Sequence, residues 1–144
     1  MFAILGPSCF GINLALYLQA HGHEVFGVGR SRMKPECFSL GLQWEYYQHH
    51  ITYEPEPIIH LLRQKKPDFI INFAAQGESA ASFGTDAWRY YETNCVGLSR
   101  LVASVESVFI QIGSSEVYGP TTEPALETQA ITPTSPYSVS KGAF

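Results

Sequence analysis

A chain of 144 residues with 45% hydrophobic content and a net charge of -4 has room for at most one domain, with a real core. The acidic balance and the lack of any Lys/Arg run argue against a nucleic-acid surface or a polybasic membrane patch, and no apolar run nears the roughly 18 residues that span a bilayer. Three scattered cysteines, Cys9, Cys37 and Cys95, lack metal-ligand spacing and read as free, mostly buried thiols of a cytoplasmic protein.

The first predicted strand is the apolar run at residues 2–5. Its flanks lack the basic residues of a signal peptide. A Gly/Pro/Ser loop follows at 6–9, then a helix over 10–22 closed by Gly22. Residues 24–28 form a second strand, 31–43 an irregular stretch containing Pro35, and 44–48 a third strand. A helix at 57–65 has Pro57 in its first turn. A nearly all-apolar fourth strand spans 68–73. Thr85 or Asp86 is the expected cap of one long helix reaching about Val105, and 108–112 is the fifth strand. The Pro/Thr-rich segment 119–136 is loop, and a last helix starts near Ser135 or Pro136. Strands alternating with helices, and apolar nearly throughout, mean a parallel sheet covered on both faces. Right-handed crossovers make it an open, doubly wound Rossmann α/β fold with five strands in the order 3-2-1-4-5.

Gly6 and Gly11 flank the loop between the first strand and first helix, with Ser8, Cys9 and Phe10 between them. Glycine there lets the backbone approach a pyrophosphate, and the helix N-terminus offers free N–H groups. The spacing is G-x4-G, with Cys9 where a middle glycine is expected, so a plain turn is the competing reading. After the second strand, an Asp or Glu accepts the 2′-OH of NAD, whereas an Arg accommodates the 2′-phosphate of NADP. Arg30, Ser31 and Arg32 stand there with no carboxylate. This favours NADP, with NAD as runner-up, and solvated loop charges are the alternative.

In the last fifth of the chain Tyr137 and Lys141 lie four apart in S-P-Y-S-V-S-K, on one helix face. A phenol of pKa about 10 is a poor base at neutral pH, and a nearby ammonium favours its phenolate form. Tyr137 can then take a proton from a sugar hydroxyl during hydride transfer. Ser114 ends the fifth strand, where doubly wound sheets place ligands, and can bond the same hydroxyl.

The segments I-L-G-P-S-C-F-G, H-E-V-F-G-V-G-R-S, K-P-D-F-I-I-N-F-A-A-Q, Y-Y-E-T-N-C-V-G, G-S-S-E-V-Y-G and S-P-Y-S-V-S-K occur in this order along the chain. In them it resembles the NAD-dependent epimerase/dehydratase family, the extended short-chain dehydrogenase/reductases that act on nucleotide sugars. The resemblance implies that Lys141 also holds the nicotinamide ribose. It also implies that Glu116 is the carboxylate with which a 4,6-dehydratase removes the C5 proton, and that Ser115 stands where dTDP-sugar dehydratases carry an acid. The S-S-E pattern looks like GDP-mannose 4,6-dehydratases or UDP-glucuronate decarboxylases, whereas Y-E-T-N-C-V-G looks closer to the dTDP-glucose branch. An epimerase, a decarboxylase and a non-catalytic dinucleotide-binding module are the alternatives. The resemblance further places Ala74, Ala75 and Gln76 along the cofactor, and His50 and Ile51 near the adenine, with His50 replacing the usual Asp. Asn94 becomes a structural or cofactor-supporting residue, against the plainer reading of a helix Asn bonded to local backbone. Gly77 and Glu78 stand where relatives often carry Ser-His.

The paired His49/His50 and the set His21/His23 read as surface rather than metal ligands, since no third ligand has the right spacing. Tyr46, Tyr47, Tyr90 and Tyr91 read as half-buried packing. The resemblance makes residues 1–144 the N-terminal, cofactor-binding part of a longer enzyme. The sugar-nucleotide region would lie outside it, so the chain alone is expected to be inactive. Self-association, as a homodimer or through an exposed edge at the fifth strand, is also expected.

Overall fold

The structure, a computed structural model, describes residues 1–33 and 41–143. Part of the expected irregular stretch, with Pro35 and Cys37, and the terminal Phe144 lie outside the described residues. The described chain forms two compact units, residues 1–74 with 97–112 and residues 75–96 with 113–144.

The first unit is built on β1 (Phe2–Leu5), α1 (Cys9–Ala20), β2 (Val25–Gly29), β3 (Glu45–Gln48), α2 (Pro55–Lys65) and β4 (Phe69–Asn72). The second unit continues with a 3-10 turn (Ala80–Phe83), α3 (Trp88–Tyr91) and a π-helical stretch (Glu92–Gly97). Then come α4 (Leu98–Val102) and β5 (Val108–Gln111) of the first unit. A second 3-10 turn (Ser115–Tyr118) and α5 (Pro136–Gly142) close the second.

The sheet is parallel throughout, in the order β3-β2-β1-β4-β5, as the alternation of strands and helices predicts. Successive strand residues point to opposite faces, and the core divides accordingly. Ala3, Leu5, Phe26, Val28 and Ile70 pack with Ile58, Leu61 and Leu62 of α2 and Leu101 of α4 on one face. Ile4 and Val25 pack with Ala15 and Leu18 of α1 and with Leu42 on the other. The two edge strands depart from the apolar expectation: β3 reads Glu-Tyr-Tyr-Gln, and in β5 Val108 is 57% and Ile110 40% exposed. An edge strand has one neighbour and only partial helix cover, so burial there is incomplete.

Helix α1 ends as expected. Gly22 has φ +79°, its N–H donates to Gln19 O (3.0 Å), and the His23 N–H donates to Leu18 O (3.0 Å), a Schellman closure. The expected single helix over 86–105 is instead short α-helical pieces around a π-helical centre, and it ends at Val102. Neither Thr85 nor Asp86 caps it. Ala87 takes the N-cap position without a side-chain bond, and Asp86 pairs with Arg89 instead (3.6 Å). The widened turns carry Asn94, whose bonds are described below; π-helical turns often mark such sites. Of the two described cysteines, Cys9 is exposed and Cys95 half-buried, so the expectation of burial fails. Cys9 is the first residue of α1, at the exposed start of the helix. Tyr90 is buried and Tyr91 exposed, whereas Tyr46 and Tyr47 are half-buried as expected.

Candidate functional site

The nucleotide-facing candidates of the first unit lie at the carboxyl ends of its strands, where open α/β sheets bind ligands. Gly6 follows β1 with φ +64°, and a Cβ there would come 2.5 Å from Ala74 Cα. Only glycine fits this close approach. Its N–H donates to Val28 O (2.7 Å). Gly11 is buried within α1, and a Cβ there would meet Ile4 Cγ2 at 3.2 Å. Ser8 is the N-cap of the 12-residue α1, but its side chain makes no capping bond. The first N–H groups of the helix are therefore not capped by that side chain. Ser8, Cys9 and Phe10 are exposed around it.

Asn72, which sequence reasoning passed over, sets the other wall of this loop. It is fully buried at the end of β4. Its Oδ1 accepts from the Ala74 N–H (3.0 Å), and its Nδ2 donates to Ala74 O (3.1 Å) and to Gln111 Oε1 (2.7 Å). Ala74 is thereby fixed against Gly6. The signal was available, because an Asn inside an otherwise apolar buried strand must have partners.

After β2, Arg30, Ser31 and Arg32 are exposed, and among the described residues neither arginine is in an ion pair. Beyond β3, the His50 ring lies against Tyr53, tilted by 34° with centroids 4.5 Å apart. Its Nδ1 faces the Thr52 N–H at 3.2 Å. That nitrogen is the acceptor of this bond. Ile51 is buried in the core, so its side chain serves packing.

In the second unit, Asn94 is 4% exposed. Its Oδ1 accepts from the Gln76 N–H (2.8 Å), and its Nδ2 donates to Gln76 O (3.1 Å) and Ser140 Oγ (2.8 Å). These partners are 18 and 46 residues away, so the reading of Asn94 as locally bonded is set aside. Ala75, next to Gln76, is exposed.

Helix α5 starts with a reciprocal capping box. Ser135 Oγ accepts from the Ser138 N–H (3.0 Å), and Ser138 Oγ accepts from the Ser135 N–H (2.9 Å). Pro136 follows at the first helical position. The Tyr137 N–H donates to Ser82 Oγ (3.1 Å) and the ring meets Tyr90 edge-on at 6.3 Å. Ser140 Oγ, held by Asn94, donates to Tyr137 O (2.7 Å). Lys141 is 7% exposed, and this burial pushes its ammonium below the usual lysine range.

The remaining candidates lie on the turn that packs against α5. Ser114 is its N-cap and accepts from the Glu116 N–H (3.3 Å). Ser115 and Glu116 are exposed. Thr132 staples the turn from the other side, its N–H donating to Val117 O (2.9 Å) and its Oγ1 to Tyr118 O (2.7 Å). Gly119 is obligatory here, with φ +67° and a would-be Cβ 2.4 Å from Thr132 O. Ser114, Ser115, Glu116, Tyr137 and Lys141 thus share one compact unit. By contrast, a groove of about 700 Å³ bordered by His23, Glu24, Trp44 and Lys65 lies at the amino ends of β1 and β2, the edge of the sheet opposite Gly6 and without the candidate chemistry.

A parallel sheet in this order, with a glycine loop closing on the end of β4, defines a Rossmann-type dinucleotide-binding class of fold. A sequence profile of the NAD dependent epimerase/dehydratase family matches residues 4–144, and the chain belongs to that family. It is 29% identical to a GDP-mannose 4,6-dehydratase of Vibrio cholerae, over 91% of this chain and 40% of that protein. It spans about 40% of the length of this relative and of the GDP-mannose 4,6-dehydratase of Yersinia enterocolitica. Among solved structures, the UDP-glucose 4-epimerase of Stenotrophomonas maltophila, with bound NAD and formylated UDP-arabinopyranose, superposes with a TM-score of 0.84. It covers 97% of this chain and 45% of that one, at 22% identity. The NAD complex of the Thermus thermophilus UDP-glucose 4-epimerase gives 0.82 at 25% identity, covering 99% and 48%. Among the described residues no helix is long and apolar enough to cross a membrane.

Proposed function

We propose that residues 1–144 are the cofactor-binding part of a cytoplasmic nucleotide-sugar 4,6-dehydratase that uses NADP. The observation that carries this reading is the Ser114-to-Tyr118 turn packed on the helix that bears Tyr137 and Lys141. It puts a hydroxyl, a carboxylate, a phenol and a buried amine in one unit. Ala74 leaves no room for a side chain on Gly6, and a loop of bare backbone can approach a pyrophosphate closely. Gly6, Ser8 to Gly11 and Arg30 to Arg32 would hold the phosphates, and Lys141 the nicotinamide ribose. A nicotinamide bound there supplies the hydride acceptor for sugar C4 and, after dehydration, the hydride donor for C6.

Tyr137 takes the proton from the C4 hydroxyl while Ser114 hydrogen-bonds the same oxygen. Lys141 lies one turn further along the same helix, on the face that carries Tyr137. With C4 oxidised, the C5 proton is acidified. Glu116 removes it and returns it to the C6 hydroxyl, which departs as water and leaves a C5–C6 double bond; Ser115 adjoins Glu116 in the chain. Asn94 holds Gln76 and, through Ser140, the Tyr137 carbonyl, and so fixes the catalytic helix.

A 4-epimerase is the second reading, favoured by the fold neighbours named above. Product analysis of the full-length protein separates the two. Loss of one water from a GDP-, UDP- or dTDP-sugar supports the dehydratase, and a C4 epimer of unchanged mass refutes it. For the present chain, calorimetric titration should show NADP bound at least tenfold more tightly than NAD. Equal affinity or a preference for NAD overturns the NADP assignment, and binding of neither overturns the dinucleotide site. The exposed Val108 and Ile110 of β5 also support self-association. A monomer by light scattering at high concentration refutes that.

A further inference from the structure

The loop after β2 is pinned along its length. Three consecutive carbonyl groups accept hydrogen bonds from β3 and the residue after it. The His49 N–H donates to Gly29 O (3.0 Å), Gln48 Nε2 to Arg30 O (3.2 Å) and Tyr46 Oη to Ser31 O (2.5 Å). Tyr46 and Gln48 are two apart on one strand, so their side chains leave the same face. Gly29 makes the Tyr46 bond geometrically accessible, because a Cβ there would lie 2.7 Å from Tyr46 Oη. That would-be Cβ is also 3.3 Å from Pro7 Cδ, so the pinned loop adjoins the glycine loop.

The electrostatic consequence is direct. A carbonyl oxygen facing an anion repels it, and here three consecutive carbonyls each accept a hydrogen bond from a donor. Arg30 and Arg32 flank Ser31 and remain exposed, with no ion pair among the described residues to neutralise them. A loop with occupied carbonyls and two open guanidinium groups is shaped for a dianion. We infer that Tyr46, supported by Gln48, is the positioning residue for selection of the 2′-phosphate. By holding Ser31 it fixes the two arginines at the spacing that a phosphate needs. The inference rests on the reading of Arg30 and Arg32 as phosphate-binding.

The test uses the full chain and its Tyr46→Phe, Gln48→Leu and doubly substituted Arg30→Ala/Arg32→Ala variants. Each is titrated with NADP, NAD, 2′,5′-ADP and 5′-AMP, with folding checked by circular dichroism. Loss of one phenol-to-carbonyl bond should weaken NADP and 2′,5′-ADP by about tenfold while leaving NAD and 5′-AMP within about twofold. Gln48→Leu, at an exposed position, should shift the same ratio less, and it keeps the test open if Tyr46→Phe does not fold. If the parent chain shows no preference for the 2′-phosphate, the arginine reading falls and this inference with it. If the parent prefers it and the arginine variant loses that preference, but Tyr46→Phe and Gln48→Leu keep it, only the inference is overturned. Equal weakening of NADP and NAD by Tyr46→Phe overturns it too, by showing a merely structural role.

Discussion

Substitution of Asn94 by Ala removes three hydrogen bonds at once, those to the Gln76 N–H, Gln76 O and Ser140 Oγ. Each is worth about 0.5–1.5 kcal/mol net, so together they put the loss near 3 kcal/mol. For a chain of this size each kcal/mol moves the melting temperature by about 2–4 °C, which predicts a fall of about 10 °C. Two controls separate bonding from packing. Asn94→Leu restores the volume without the bonds and should be about as destabilised. Asn94→Asp keeps the acceptor for the Gln76 N–H but turns a carboxylate oxygen toward Gln76 O, so it should also fail to rescue. The assays are thermal unfolding followed by circular dichroism and amide hydrogen exchange at Gln76. Exchange there should accelerate in all three variants, and most in the Ala and Leu forms. A melting shift below about 2 °C with unchanged Gln76 exchange would show that Asn94 does not hold this segment, and the assigned role would fall.

Three further outcomes follow from individual positions. Gly6→Ala forces a Cβ within 2.6 Å of three Ala74 atoms at φ +64°; it should cost about 1–3 kcal/mol of stability and abolish NADP binding, read by thermal melts and calorimetry. Glu78 is a non-glycine residue at φ +74°, so Glu78→Gly should stabilise by about 1 kcal/mol by relieving that strain, seen as a rise in melting temperature. Lys141 has a folded-state pKa lowered by burial, so the unfolded chain binds more protons in the interval between that pKa and the ordinary lysine value, and stability rises with pH there. Lys141→Met should therefore lose this rise, its stability staying flat across that interval while the parent's climbs, measured by urea unfolding at stepped pH; an unchanged slope in the variant would refute the assignment.

The strand order was legible because hydrophobic period and helix spacing leave few topologies for alternating strands and helices. The α1 stop was legible because Gly22 supplies a left-handed closure. Gly6 was legible as a loop glycine, although its true constraint, the approach of Ala74, is a contact between residues 68 apart that no local pattern carries. The same holds for Tyr46, whose partner lies one strand over: strand alternation predicts a half-buried tyrosine, not the carbonyl that it reaches. The π-helical stretch was missed because the periodicity of Trp88 to Val102 suits an ordinary helix. The reason for its widening shows only in where Asn94 goes. Placement of the catalytic candidates came from resemblance to known motifs. The hydroxyl network that fixes their helix did not, because Ser82, Ser135, Ser138 and Ser140 look like unremarkable polar residues in a linear reading.

That network points to a division of labour between the two units. In the first, buried side chains are chiefly aliphatic and aromatic, and such cores tolerate volume-conserving exchange. In the second, the buried set among the described residues is Ser82, Tyr90, Asn94, Ser135, Ser138, Ser140 and Lys141, joined largely by hydrogen bonds. Hydrogen bonds are directional, whereas apolar contacts are not, so a polar interior holds Tyr137 and Lys141 in one orientation where an aliphatic one would allow several. It also carries a penalty: each bond is worth little net, but an orphaned buried partner costs the full desolvation of that group. Damage to the second unit should therefore come from conservative polar deletions that an apolar core would absorb, and it should reach the helix of Tyr137 and Lys141 before it reaches the sheet.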